Sequence, residues 1–206
     1  IMTKISQLQE IINSSDNIVF FGGAGVSTES GIPDFRSEKG IFNSLKKYGA
    51  SPEQLVSHSY YMENTEEFFN YYKENLIFKD AQPNPAHYKL AELEKAGKLK
   101  AVITQNVDGL HQKAGSKNVL ELHGSIHRNY CEFCKREYDL DFILKSEGIP
   151  RCECGGIVKP DVVLYEEPLN NDVLSSSINY IANADTLIIG GTSLNVYPAA
   201  GLINYF

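Results

Sequence analysis

The residues of this chain able to do chemistry sit in a few short stretches, each placed where an apolar run ends. From Ile18-Val19-Phe20-Phe21 the sequence passes through Gly22-Gly23-Ala24-Gly25, which reads as a buried strand entering a turn whose backbone N–H groups can approach an anion. A Gly-x-Gly pattern also suits a plain strand-to-helix turn. The tail Gly31-Ile32-Pro33-Asp34-Phe35-Arg36 adds an acid, a ring and a cation beside the expected phosphate, which points to a nucleotide site. After Leu99, Ala101, Val102 and Ile103 comes Thr104-Gln105-Asn106-Val107-Asp108-Gly109, with amides and an acid where an open α/β sheet places its ligand contacts; taken alone this segment could be a turn. Val119-Leu120-Glu121-Leu122 then delivers His123-Gly124. A lone histidine is commonly structural. This one ends a strand of the sheet expected to carry the other two stretches, so all three can meet at one edge with His123 as a base.

A different chemistry belongs to the cysteines. Cys131 and Cys134 are separated by two residues, Cys152 and Cys154 by one, and the pairs are seventeen residues apart. Four crowded thiols in a chain without an evident export signal suit a tetrahedral zinc better than disulfides, with free thiols as the alternative. Four sulfur ligands leave no open coordination position, so the expected metal is structural. The shortened second gap is followed by Gly155-Gly156, which give the backbone freedom to close.

The elements that must hold these groups are legible in outline. At 206 residues with 42% hydrophobic content the chain can bury a core and fits one full domain plus a smaller insertion. Ile5, Leu8, Ile11 and Ile12 recur at helical spacing. Between Arg36 and Asp80 the aromatic stripe of Phe68, Phe69, Tyr71, Tyr72 and Leu76 predicts one or two helices with those rings in a core. Asn84 caps, and Pro85 begins, a helix running to Gly97. Ile157 to Tyr165 reads as extended, either an ordinary sheet strand or an edge able to take a peptide as an added strand. Leu174, Ile178 and Ile181 predict a helix, and Thr186-Leu187-Ile188-Ile189 a central strand opening into a second small turn, Gly190-Gly191-Thr192-Ser193. A further helix begins near Pro198. Strands alternating with helices imply an α/β fold with a parallel, doubly wound sheet.

A formal net charge of −7 argues against nucleic acid or an anionic membrane as the main partner and leaves a basic protein tail as a plausible one. No apolar run reaches the roughly 18 residues of a membrane span, and the expectation is an intracellular, cytoplasmic protein.

Taken together, GAGVSTESGIPDFR, TQNVDGLHQKAG, ELHGS, the four cysteines and GTSLNVYPA, in this order, resemble a sirtuin, an NAD-dependent protein lysine deacylase. The resemblance covers nearly the whole chain. It implies a Rossmann-like domain from 1–36, 84–126 and 157–206, and a small domain from a helical insertion, 37–83, and a zinc-bearing one, 127–156. It also implies a further strand and helix beyond Phe206 that complete the adenine pocket. It puts Ala24, Gly25 and Thr28 along NAD, with Asp34, Phe35 and Arg36 at the nicotinamide ribose and phosphates. Gln105 and a catalytic Asn106 fall at the ribose, Val107 and Asp108 at the nicotinamide carboxamide, and Gly191, Thr192 and Ser193 at the adenosine half. His123 matches the general base, and Cys131, Cys134, Cys152 and Cys154 the zinc ligands. Val163, Tyr165, Glu166 and Glu167 fall on the segment that pairs with the acylated-lysine substrate, where Glu166 stands in place of the usual glycine. Phe69 and Tyr72 occupy the positions where succinyl-removing members carry a tyrosine and an arginine, which favours acetyl-lysine. Competing activities at such a site are ADP-ribosyl transfer or NAD hydrolysis, and a non-catalytic NAD-sensing or zinc scaffold.

Overall fold

The computed structural model describes residues 2–34 and 36–206. In chain order, α1 (Lys4–Ser14) precedes β1 (Ile18–Gly22), and four helices follow, α2 (Glu38–Tyr48), α3 (Pro52–Leu55), α4 (His58–Glu63) and α5 (Thr65–Asn75). Next come α6 (Pro85–Lys95), β2 (Leu99–Thr104), α7 (Leu110–Lys113), β3 (Val119–Glu121), β4 (Gly124–Cys131) and β5 (Glu137–Tyr138). The chain continues through α8 (Leu140–Lys145), β6 (Val158–Val162), α9 (Asn171–Asn183) and β7 (Thr186–Gly190).

A four-stranded parallel sheet has the order β3-β2-β1-β7. β1 is apolar at consecutive positions because both of its faces are covered. Ile18, Phe20 and Val102 pack with Leu90 of α6 and with Ile12 of α1 on one face. Val19, Phe21 and Ile103 pack with Ile181 of α9 and with Ala199 and Leu202 on the other. Helices on both faces make the sheet doubly wound, as the strand-helix alternation predicts. Among the described residues β7 lies outermost in this sheet, beside β1, and its Ile189 is 42% exposed. The segment after Pro198 is a 3₁₀ helix, Ala199–Tyr205, rather than an α-helix.

The second layer system is smaller. β4 pairs antiparallel with β5 and β6, so the extended stretch from Ile157 begins as a strand of this sheet, with Cys131 opposite Val158 and Gly124 opposite Val162. Gly124 has a positive φ of 81°, and a Cβ there would lie 1.9 Å from the Asp161 carbonyl oxygen, so only glycine permits the crossing. Phe68, Phe69, Tyr71 and Tyr72 of α5 are buried against Ile126, Val158 and Leu164, which places the aromatic stripe in this core. The one or two helices expected up to Asp80 are four, because strong local signals interrupt the pattern. Gly49 ends α2 in the left-handed region, Ser51 and Gln54 form a capping box around Pro52, and the Ser57 hydroxyl caps α4.

Candidate active site

The segment after β2 is held from several sides. Leu122 N–H donates to the Thr104 carbonyl, and the Gln105 N–H donates to the Gly22 carbonyl, so strand ends β1, β2 and β3 deliver their loops together. Gln105 Nε2 donates to Thr192 Oγ1 at 3.1 Å, which draws in the turn after β7. Asn106 Nδ2 donates to the Gly23 carbonyl at 2.9 Å and to Ser27 Oγ at 3.3 Å. Asp108 accepts from Ser27 Oγ at 2.6 Å through Oδ2 and from Leu110 N at 2.9 Å through Oδ1, which caps the start of α7.

Behind Ser27 lies a buried imidazole whose tautomer the partners dictate. The Asn84 N–H donates to His87 Nδ1 at 3.1 Å, so the proton sits on Nε2, which faces Ser27 Oγ at 3.4 Å. The Ser27 hydroxyl therefore accepts from His87 and Asn106 and donates to Asp108, keeping that carboxyl an acceptor. Burial lowers the His87 pKa. His111 packs edge-on against it at 4.8 Å, is 1% exposed, and has no hydrogen-bond partner for either ring nitrogen among the described residues. Burial, with His87 adding to it, pushes the His111 pKa down to about 4.

His123 follows β3 and is turned by one hydrogen bond. A carbonyl only accepts, so His123 Nδ1 carries the proton given to the Gln105 carbonyl at 3.1 Å, and Nε2 keeps its lone pair as the ring's proton acceptor. Burial lowers its pKa and the nearby Arg36 lowers it further, against the backbone bond, so the ring is neutral at neutral pH.

His123 lines one cleft with Ala24, Arg36, Gln105, Asn106, Val107 and Asp108, and with Val163, Tyr165, Glu166 and Glu167. Other expected residues stand behind this wall. Gly25 and Gly191 pack backbone to backbone, where a Cβ on Gly25 would lie 2.7 Å from Gly191 Cα. The Gly25 N–H donates to the Gly191 carbonyl at 2.8 Å and the Gly23 N–H to the Gly190 carbonyl at 3.2 Å, so these glycines permit the close approach of two turns. Thr28 Oγ1 donates to the Gly25 carbonyl, Thr192 is engaged by Gln105, and Asp34 accepts the Arg36 N–H at 2.9 Å. Ser193 is not among the cleft-lining residues. Phe35 lies outside the described residues. Sequence reasoning missed Ser27 and the Val196-Tyr197-Pro198 wall of the cleft. Ser27 stands inside the quoted GAGVSTES run, and its hydroxyl between glycine and proline signals was the available clue.

The segment expected to pair with a peptide already makes bonds within the chain. Val163 N–H donates to the His123 carbonyl and Tyr165 N–H to the Val56 carbonyl, while the Tyr165 carbonyl accepts from His58 N–H. Glu166 adopts a φ of 77°, left-handed for a non-glycine residue, and its Oε2 accepts from Ser59 N at 3.0 Å and Ser59 Oγ at 2.5 Å. That anchorage on α4 compensates the backbone strain glycine would avoid.

The four cysteine sulfurs lie within 4.8 Å of one another, with Cys131 and Cys154 Sγ 3.4 Å apart and Cys134 and Cys152 Sγ 3.5 Å apart. Sulfurs on a tetrahedral zinc, at about 2.3 Å from the metal, stand about 3.8 Å apart, so the set fits one structural zinc with no open position. Gly156 makes the shortened gap workable, since a Cβ there would lie 2.6 Å from Cys131 Sγ. Tyr138 OH donates to Cys152 Sγ at 3.0 Å, a second layer that favours the thiolate.

The model of the Sir2 family matches residues 23–198. An NAD-dependent protein deacetylase of Clostridium perfringens is 66% identical over 204 residues, covering 98% of this chain and 84% of the relative. One of Clostridium acetobutylicum is 60% identical over 208 residues, covering 100% and 85%. A solved Sir2 with p53 peptide and NAD+ superposes with a TM-score of 0.86 at 39% identity, over 98% of this chain and 82% of that one.

Proposed function

The chain belongs to the Sir2 family, and from that premise we infer that its His123 cleft is where it works as an NAD-dependent protein lysine deacetylase. The acyl group of an acylated lysine passes to a hydroxyl of ADP-ribose, nicotinamide leaves the sugar carbon, one water is consumed so that the product carries a hydroxyl there, and the free lysine is released. NAD supplies the sugar carbon at which nicotinamide is lost and the hydroxyls that receive the acyl group. One structural zinc braces the small sheet through Cys131, Cys134, Cys152 and Cys154. A cytoplasmic setting follows from the same four thiols, which a reducing compartment keeps available to the metal.

The observation that carries the site assignment is the convergence of a neutral imidazole with the 105–108 segment in one cleft. His123 holds its proton on Nδ1, so Nε2 takes a proton from a ribose hydroxyl as general base. Asn106, tied to Gly23 and Ser27, and Gln105, tied to Thr192, orient the sugar. Asp108, fixed through Ser27 and the start of α7, accepts the carboxamide N–H of nicotinamide and directs its departure. Arg36 faces the phosphates as the cation of the cleft. Tyr165 and Val163 present the acylated lysine, and the apolar walls at Val56, Val107 and Leu164 exclude water from the reacting centre.

Mass spectrometry of products after mixing the protein with NAD and an acetylated peptide tests this. Deacetylated peptide, nicotinamide and an O-acetyl-ADP-ribose in equal amounts are expected. Nicotinamide released at the same rate without acylated peptide would overturn it in favour of NAD hydrolysis.

A further inference from the structure

The segment from Leu122 to His127 is sewn onto the segment from Thr104 to Asp108 by bonds that run in register. Leu122 N–H meets the Thr104 carbonyl at 3.0 Å, His123 Nδ1 the Gln105 carbonyl at 3.1 Å, and Ile126 N–H the Val107 carbonyl at 3.1 Å. The last stitch is made by a side chain. His127 Nε2 lies 3.1 Å from the carbonyl oxygen of Asp108, and since that oxygen only accepts, Nε2 carries the proton and donates it. The His127 ring also covers Gly109, where a Cβ would meet ring atoms at 2.8 and 2.9 Å. Gly109 has a φ of 72°, so the chain turns sharply just after Asp108 and has no neighbouring strand to hold that carbonyl.

The geometry points to His127 as a positioning residue for Asp108, its Nε2–H fixing the Asp108 carbonyl and so the stance of the carboxylate that receives nicotinamide. This rests on the assignment of Asp108 to the carboxamide. The side chain of Asp108 is already tethered to Ser27 and Leu110, but both tethers leave the peptide plane after it able to rotate. His127 removes that freedom from the side of β4, whereas Ser27 acts from the turn after β1. Two different layers of the fold thus grip one residue. The ring is exposed on its far side, so replacing it does not open a core.

Two variants separate the hydrogen bond from the shape. His127→Phe keeps a ring over Gly109 without a donor, and His127→Gln restores an N–H near the place of Nε2. With His127→Phe, the inhibition constant for nicotinamide is expected to rise about three- to tenfold, the range set by loss of one neutral hydrogen bond, with the KM for acetylated peptide unchanged. Amide exchange at Gly109 and Leu110 in the protein alone rises in parallel, and His127→Gln recovers most of both effects. Wild-type values in both variants would overturn the inference, and so would equal losses in both, since the ring's bulk would then be what matters. Faster exchange in His127→Phe with no change in nicotinamide inhibition would overturn the carboxamide assignment instead.

Discussion

At the scale of single residues the decisive facts are proton positions. His123 is held with its proton on Nδ1 and its pKa lowered by burial and by Arg36, so loss of function on acidification is expected below the ordinary histidine value of 6.5. The sign follows from the role: the neutral form is the base, so kcat/KM falls as pH drops through the lowered pKa and is flat above it. A pH–rate profile with its acid limb above 6.5 would contradict the assignment. His123→Ala is expected to reduce deacetylation by about 10²- to 10⁴-fold while NAD binding and fold persist, measured by calorimetry and circular dichroism. His111 makes a stability prediction of its own. Its folded pKa, about 4, lies below the unfolded value, so its stabilisation is complete above 6.5 and is lost as pH falls from 6.5 towards 4. The loss is of the order of 3 kcal/mol by about pH 4, and His111→Leu, which removes the unpartnered nitrogens, is expected to flatten that part of a melting-temperature profile.

At the scale of elements, the three-stranded sheet depends on two features with little tolerance. Gly124→Ala would set a methyl against the Asp161 carbonyl in a backbone region unsuited to alanine, so β4 and β6 must part at that end. A melting-temperature drop of at least about 5 °C is expected, and a neutral result would mean the strands slide freely there. Zinc removal should act on the other end of the same pair. Chelation is expected to release one zinc per chain and to expose amides of β4, β5 and β6 to exchange, while the parallel sheet, with its own core around Phe21 and Ile103, stays protected. Uniform exchange throughout would show a single cooperative unit instead. The helices α2 to α5 illustrate how strongly local signals act: serine caps and Gly49 divide one aromatic stripe into short pieces that still bury their rings together.

At the scale of the whole molecule, the parallel sheet carries a core on each face and the zinc-bearing sheet a third, and the cleft lies between the loops that follow β1, β2 and β3 and the stretch from Val162 to Glu167 that leaves the zinc-bearing sheet. Arg128 links the two sheets, from the nearly buried Glu121 at the end of β3 to Asp161 in β6, the second an exposed contact worth at most about 1 kcal/mol. Phe69 and Tyr72 are fully buried and are not among the residues lining the cleft, where Arg36 is the only arginine or lysine among the described residues, so the cleft offers an acidic acyl group little compensating positive charge. Acetyl-lysine peptide is expected to turn over at least about tenfold faster than its succinyl counterpart, a difference of about 1.4 kcal/mol, in a direct comparison of kcat/KM. Faster turnover of the succinylated peptide would refute the preference.

The sequence by itself determined the strands that bury on both faces, the parallel alternation, the cysteine quartet and the identity of the polar groups after each strand, because those depend on residue type and short spacing. Tertiary structure decided what those groups do to one another. The glycines after β1 also admit the turn after β7, which approaches from a region 165 or more residues away in sequence. The route of the stretch from Ile157 into the zinc-bearing sheet, the tautomer of His123 and the Ser27 and His127 holds on Asp108 all arise from contacts between distant segments. No local pattern encodes such contacts, because a hydrogen bond's direction depends on which partner the fold brings within about 3 Å.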